Sequence, residues 1–371
     1  MPATPYTPPP EERYSFLDDY SEGAHPALLQ ALVSSNSTQQ VGYGNDAFSA
    51  EARQSIRRLV GCPDAGVFFV PTGTSANVIS IAACLRPHEA VIAASSGHIV
   101  TRETGAVEAS GHKIINVEPQ NGKLTPSTIR KALESNWHYP HMAVPKCVYI
   151  SNATEIGTLY TKTELKAIKQ LCMANGLILF VDGARIGAAL ASDLNDITLP
   201  EFLELTDIFW IGGTKNGALL GEAIVVKDAA LARDFEFYVK QRGSLLAKGR
   251  AIGAQFAELF RLSSPADAHL PVEHQFRNTL YFDLARRANT AAQTLSLAVT
   301  QAGYELQAET ETNQVFAVLP VELIERLKEH FRFYVWETLE GGRKAVVRLL
   351  TTWATDEKQL EHFVDMVKTP L

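Results

Sequence analysis

Seven short apolar runs, separated by helical patterns, constrain the fold of this chain more than any other feature. They occupy residues 67–70, 90–93, 114–117, 147–150, 177–181, 208–211 and 223–226. Each is continuously apolar rather than alternating, so each predicts a strand covered on both faces. Such strands with helices between them give an α/β domain on a mostly parallel central sheet. The helices have readable ends. Thr125 followed by Pro126 starts one, with Ile129, Ala132 and Leu133 on its buried side. Thr163 is the expected cap of another, through Leu165, Ile168, Leu171 and Cys172, which Asn175-Gly176 ends.

After Arg250 the pattern changes to helices over about 251–261 and 275–302, then short strands near 315–317, 332–335 and 345–349. Thr355 is the expected cap of a last helix carrying Leu360, Phe363 and Met366. Ser263-Ser264-Pro265 breaks the pattern between the two parts. The expected organisation is a leader at 1–14 with five prolines in its first ten residues, a large domain at 15–262 and a small α+β domain at 263–371. A chain of 371 residues is long for a single core, which agrees with two domains. Its 34 Lys and Arg against 41 Asp and Glu leave no basic field for nucleic acid. No apolar stretch approaches the ~20 residues of a membrane span, and Cys62, Cys84, Cys147 and Cys172 form no CxxC pair. These features predict a cytoplasmic protein that acts on a small molecule.

In an open α/β sheet ligands bind beyond the carboxyl ends of the strands, so the residues after each run are the ones to inspect. The turn Pro71-Thr72-Gly73-Thr74-Ser75-Ala76-Asn77 opens a helix, and its N–H groups with the Thr74 and Ser75 hydroxyls make a phosphate cradle. The plainer reading is a capped helix without a ligand. Asp182, in Asp182-Gly183-Ala184-Arg185, leaves a buried strand and needs a cation or donor opposite it, or is satisfied by Arg185 itself. Lys215, in Gly212-Gly213-Thr214-Lys215-Asn216-Gly217, suits Schiff-base chemistry because burial lowers an amine pKa, whereas most lysines are surface charges. His98, followed by Glu103 and Glu108, either stacks on a flat ring and moves protons or bonds to backbone. A phosphate cradle, a strand-end Asp, a Lys 33 positions later and a stacking His together meet the needs of pyridoxal phosphate.

The order and spacing of further segments sharpen this. They are residues 14–16, Asp18-Asp19-Tyr20-Ser21-Glu22-Gly23-Ala24-His25-Pro26, Gly42-Tyr43-Gly44-Asn45-Asp46, Gly97-His98-Ile99 with Glu103-Thr104-Gly105, and the Asp182 and Lys215 motifs. With these the chain resembles the threonine aldolase and β-eliminating lyase family, and within it the low-specificity L-threonine aldolase branch, from about Tyr14 onward. The resemblance implies the fold-type I aminotransferase architecture, pyridoxal 5'-phosphate, and a homodimer or homotetramer with its active site at the subunit interface. It implies Lys215 as the Schiff-base lysine, Asp182 as partner of the pyridine nitrogen, and Gly73, Thr74 and Ser75 as the phosphate site. It places His98 on the ring, and Arg185 and Arg348 at the substrate carboxylate. Tyr43 and Lys248 match positions that reach a neighbouring subunit's site.

Two departures from the family touch the substrate's side chain. Glu155, in Asn152-Ala153-Thr154-Glu155-Ile156-Gly157, stands nearest the place where many relatives carry a histidine for the β-hydroxyl. The N-terminal serine of the family is replaced around Leu17-Asp18-Asp19, with Ser21 as its substitute. Retroaldol cleavage of a β-hydroxy-α-amino acid to glycine and an aldehyde is the expected reaction. The alternatives on the same scaffold are an alanine-type racemase, a β-eliminating lyase, or an interaction module that has kept the fold.

Overall fold

All seven apolar runs form strands of one sheet. The computed structural model describes residues 13–370, so all but the end of the expected leader lies outside the described residues. In chain order the strands are β1 (Tyr14–Ser15), β2 (Gly66–Val70), β3 (Glu89–Ala94), β4 (Lys113–Val117), β5 (Val144–Ser151), β6 (Ile178–Asp182) and β7 (Ile208–Gly212). There follow β8 (Glu222–Val226), β9 (Glu305–Leu306), β10 (Gln314–Pro320), β11 (Phe331–Arg332), β12 (Tyr334–Leu339) and β13 (Lys344–Leu350). The seven-stranded sheet has the order β2-β8-β7-β6-β5-β3-β4. Its strands pair in parallel except β8, which runs antiparallel to both neighbours, β2 and β7.

Successive residues of the inner strands enter different cores, as burial on both faces requires, whereas the edge strand β4 has Lys113 and Asn116 exposed. Ile92, Val148, Leu179, Phe209 and Val225 pack in one cluster, and Val91, Cys147, Phe180, Trp210 and Ile224 in the other. The parallel strands advance in one direction from β5 to β7 and in the other from β3 to β4. The crevice at this reversal, beyond the carboxyl ends of β3 and β5, is where such folds bind ligands.

The C-terminal part carries a second, antiparallel sheet in the order β12-β13-β10-β9, and the helix Leu280–Gln301 packs against β10 and the last helix, Glu357–Lys368. Tyr14, expected in the leader, and Ser15 and Phe16, expected with the large domain, pack instead with the C-terminal part. β1 pairs in parallel with β11, and Phe16 is buried among Phe331, Phe363, Val347 and Leu349 of the C-terminal core. The expected strand at 332–335 is divided between β11 and β12, which belong to different sheets.

Two caps move by a residue or two. Thr161, not Thr163, caps the helix Lys162–Ala174, because it places Glu164 at the position that closes a capping box. Asp356, not Thr355, caps the last helix, while the Thr355 hydroxyl accepts from the Thr352 N–H. Thr125 caps its helix as the sequence predicts. The helix expected over 275–302 begins at Leu280, after a short helix and a 3-10 turn.

Candidate active site

Asp182 ends β6 and is almost fully buried. Its carboxylate is held by three donors: Tyr149 OH at 2.6 Å, Asn77 Nδ2 at 2.9 Å and the Ala184 N–H at 2.9 Å. Arg185 is not its partner, so the mutual pairing of Asp182 and Arg185 open in the sequence does not form. Gly183 is required by packing, since a Cβ there would stand 1.7 Å from the Trp210 carbonyl oxygen. Asn77 spans the site floor. Its carbonyl oxygen accepts Trp210 Nε1–H at 3.0 Å, and Nδ2 donates both to Asp182 and to Glu103 Oε1 at 2.7 Å. The same Glu103 oxygen lies 2.7 Å from His98 Nδ1. One amide therefore links the strand-end aspartate to the histidine.

Across the crevice, Glu155 Oε1 accepts the His98 N–H at 3.1 Å and the Ser151 hydroxyl at 2.7 Å. Burial pushes the Glu155 carboxyl up from its ordinary value. Loops after β3 and β5 meet through these bonds at the reversal of the sheet.

Lys215 follows β7 and is half-buried, with its amine 5.9 Å from the centre of the Tyr20 ring. It has no hydrogen bond or ion pair among the described residues. Burial, followed by the neighbouring Arg185 charge, lowers its pKa and favours the free amine. Arg185 is fixed by Asp19, with Nε at 2.6 Å from Oδ2 and Nη2 at 3.1 Å from Oδ1. Asn313 Nδ2 adds a third donor to Asp19 at 3.1 Å. Burial by itself raises the Asp19 pKa, but Arg185 and Lys215 outweigh it and hold the carboxyl low.

Arg348 lies on β13 opposite Phe316 and Tyr334, and its guanidinium stands 4.9 Å from the Tyr334 ring centre and 5.1 Å from that of Trp336. Burial and then Arg185 lower its pKa, so the two cations share one field. Its Nε is buried without a partner among the described residues.

At the helix Gly73–Cys84, Thr72 caps by accepting the Ser75 N–H. The N–H groups of Gly73 and Thr74 are left without an acceptor among the described residues. The Ser75 hydroxyl sits 2.8 Å from that of Thr72, so the open part of the cradle is Gly73 and Thr74. A Cβ at position 73 would meet the Trp210 ring at 2.8 Å, so glycine alone lets the turn sit this close.

Three expected residues are not drawn into this cluster. Ser21 is exposed and its hydroxyl reaches only the Asp18 carbonyl, at 3.4 Å. Tyr43, at φ +58°, packs on the Lys240 ammonium 4.5 Å away, and Lys248 is exposed. In turn, sequence reading gave no role to Asn77, Tyr149, Trp210 or Asp19, whose partners lie up to 294 positions away in the chain.

A pinned aspartate, an unpaired lysine and open helix N–H groups thus meet at one end of one sheet. The β-eliminating lyase family model matches residues 17–322. The chain belongs to this family. It is 32% identical to a low-specificity L-threonine aldolase of a Pseudomonas strain, over 94% of this chain and 96% of that protein. A second such aldolase, from Pseudomonas aeruginosa, is 33% identical over 92% of this chain and 93% of that protein. Among solved structures, a Leishmania major threonine aldolase superposes with a TM-score of 0.89 at 42% identity, covering 96% of this chain and 98% of that one. Aspartate aminotransferase of Thermus thermophilus, at 16% identity and a TM-score of 0.64, shares the fold. The fold is therefore that of the fold-type I enzymes, as the resemblance implies.

Among the described residues no helix is long and apolar enough to cross a membrane, and no group of three His, Cys, Asp or Glu side chains is set to hold a metal ion.

Proposed function

We propose that this protein is a pyridoxal-phosphate-dependent lyase that cleaves the Cα–Cβ bond of a β-hydroxy-α-amino acid to glycine and an aldehyde, threonine being the parent substrate. The observation that carries this reading is the pairing at one sheet end of Asp182, fixed by three donors, with Lys215, whose amine is unpaired and deprotonates readily. The unfilled valences fit the cofactor: the Gly73 and Thr74 N–H groups for its phosphate, and the buried Arg348 Nε beside a substrate carboxylate. When bound, the cofactor supplies an electron sink for the pair left on Cα.

The chain's own groups do the rest. Asp182, held in place by Tyr149, Asn77 and the Ala184 N–H, would hold the ring nitrogen of the cofactor. Lys215 would hold the cofactor through its aldehyde. Arg348, with its guanidinium against two aromatic faces, and Arg185, with the edge that Asp19 does not use, bind and orient the substrate carboxylate. His98, fixed by Glu103 and Glu155, would cover the ring of the cofactor and keep water from it. Glu155, whose raised pKa makes it a better base than an ordinary carboxylate, accepts the β-hydroxyl proton. The relatives favour this outcome over racemisation, since those named above are aldolases. A homo-oligomer belongs to the same reading, in which Tyr43 and Lys248, both exposed and outside their own chain's cluster, serve a second copy; a fully active monomer in sedimentation removes that part.

A panel of β-hydroxy amino acids, alanine and serine, scored for glycine with aldehyde, inverted enantiomer and pyruvate, tests the reading. Glycine and aldehyde are expected from wild type and neither from Lys215→Ala. An inverted enantiomer or pyruvate as the main product overturns it.

A further inference from the structure

The turn that carries Lys215 is held by a carboxyl group that the reaction described above does not use. Glu222 opens β8, and the register sets it opposite Gly212 of β7 on one side and Val70 of β2 on the other. Because β8 runs antiparallel, its first residue lies where β2 and β7 end, between the phosphate cradle and the lysine turn. Its side chain is almost fully buried. Glu222 Oε2 accepts the Gly213 N–H at 2.7 Å and Oε1 accepts the Thr214 hydroxyl at 2.8 Å. Tyr281 OH donates to the Gly212 carbonyl at 2.9 Å, and Asn216 Nδ2 donates to the Tyr281 carbonyl at 2.8 Å. The residues on both sides of Lys215 are thus pinned while its amine stays free.

The carboxylate accepts both donors, whereas a glutamine offers a single acceptor oxygen and keeps both bonds when the Thr214 hydroxyl turns to accept its Nε2–H. What a glutamate adds is a negative charge beside Lys215. We propose that Glu222 is a positioning residue for Lys215, fixing its turn and setting the proton occupancy of its amine. This rests on the lyase reading, because it takes Lys215 as the group that binds the cofactor.

Burial pushes the Glu222 carboxyl up to about 7, against the pull of Thr214, Gly213 and Lys215. The titratable groups facing it are Lys215 on the turn and Tyr281 on the helix Leu280–Gln301, and Lys215 in turn faces Arg185, Asp19 and Asp182. An ionised Glu222 raises the proton affinity of the Lys215 amine and a neutral one does not, so the carboxyl opposes the effect of burial on the lysine.

Glu222→Gln keeps the shape and removes the charge. Two titrations read the result: absorbance of the lysine–cofactor bond in the holoenzyme, and chemical denaturation of cofactor-free protein from pH 5 to 9. Between the ordinary carboxyl range and about 7 the folded wild type holds a proton that the unfolded chain lacks, so its stability falls as pH rises through that window. The Gln variant is expected to lose this slope, to shift the holoenzyme midpoint down by about one pH unit, and to lower kcat by on the order of 10- to 100-fold with KM nearly constant. Thr214→Val is the second variant: it keeps Glu222, removes a donor to its carboxylate and is expected to move the stability slope to higher pH. Wild type and Glu222→Gln with superimposable titrations, or a Thr214→Val slope that does not move, overturn the proposal. A wild type that forms no lysine–cofactor bond overturns the lyase reading itself.

Discussion

Arg185 shows how a single residue at this site is defined by what it touches rather than by its motif. Its place three positions after Asp182 suggests a local pair, but the backbone turn at Gly183 sends the two side chains apart and Asp19 takes the guanidinium instead. Because both members are buried, Asp19→Asn leaves a charge without its counter-charge, and a loss of about 3 kcal/mol in urea unfolding is expected. The pH dependence has a definite sign. The folded Asp19 pKa lies below the unfolded one, so this stabilisation is complete above the ordinary carboxylate range and disappears as pH falls through the folded value. The acid limb of the unfolding curve is therefore expected to flatten in the variant; an unchanged limb means that the pair contributes nothing. Lys215, Asp182 and His98 were legible in the sequence because each follows an apolar run. Glu222 was not, for a physical reason: on an antiparallel strand the residue facing the site comes before the run, where a search of following residues does not look.

Strand positions were the most legible feature at the level of elements, since burial on both faces leaves a continuous apolar signature that polar interruptions end sharply. Strand direction was not legible, and neither was the edge. β2 pairs only with β8, and its outer side is covered by the helix Ala47–Leu59, whose Arg53 Nε donates to the Val67 carbonyl and Arg57 Nε to the Ala65 carbonyl. Two arginines on a helix read as surface charge until the strand beside them is known. Caps were legible to within two residues. Thr161 prevails over Thr163 because its hydroxyl accepts the Glu164 N–H while the Glu164 carboxylate accepts the Thr161 N–H at 2.8 Å. Thr161→Ala is accordingly expected to cost about 1 kcal/mol, whereas Thr163→Ala, outside the box, is expected to change stability by less than about 0.5 kcal/mol. Thermal unfolding of the two variants side by side distinguishes them, and equal losses would refute the assignment.

At the scale of the whole molecule, the N-terminal segment ties the two parts of the chain together at the site. Tyr14–Ser15 pairs with β11, and the Phe16 carbonyl accepts the N–H of Leu350, the last residue of the strand that bears Arg348, at 2.9 Å. Three residues further on, Asp19 grips Arg185 of the large sheet and Asn313 of the C-terminal part. A strap that joins the two arginines proposed to bind the substrate carboxylate does more than bury an aromatic ring. Phe16 is fully buried, with its ring against Phe331 and Phe363. Removing it in Phe16→Ala is expected to cost about 3–5 kcal/mol from the lost burial and the cavity left behind. If the strap also sets the spacing of Arg185 and Arg348, the folded fraction of this variant has its carboxylate site loosened while Lys215 and Asp182 stay on their own strands. KM for the amino acid is then expected to rise by on the order of tenfold with kcat little changed, measured well below the variant's unfolding temperature. A Leu319→Ala control removes buried volume from the same core at the far end of β10, opposite Ala345 rather than near the Leu350 that bonds the strap, and is expected to lose stability with KM unchanged. Equal KM values in the two variants would reduce the strap to packing alone.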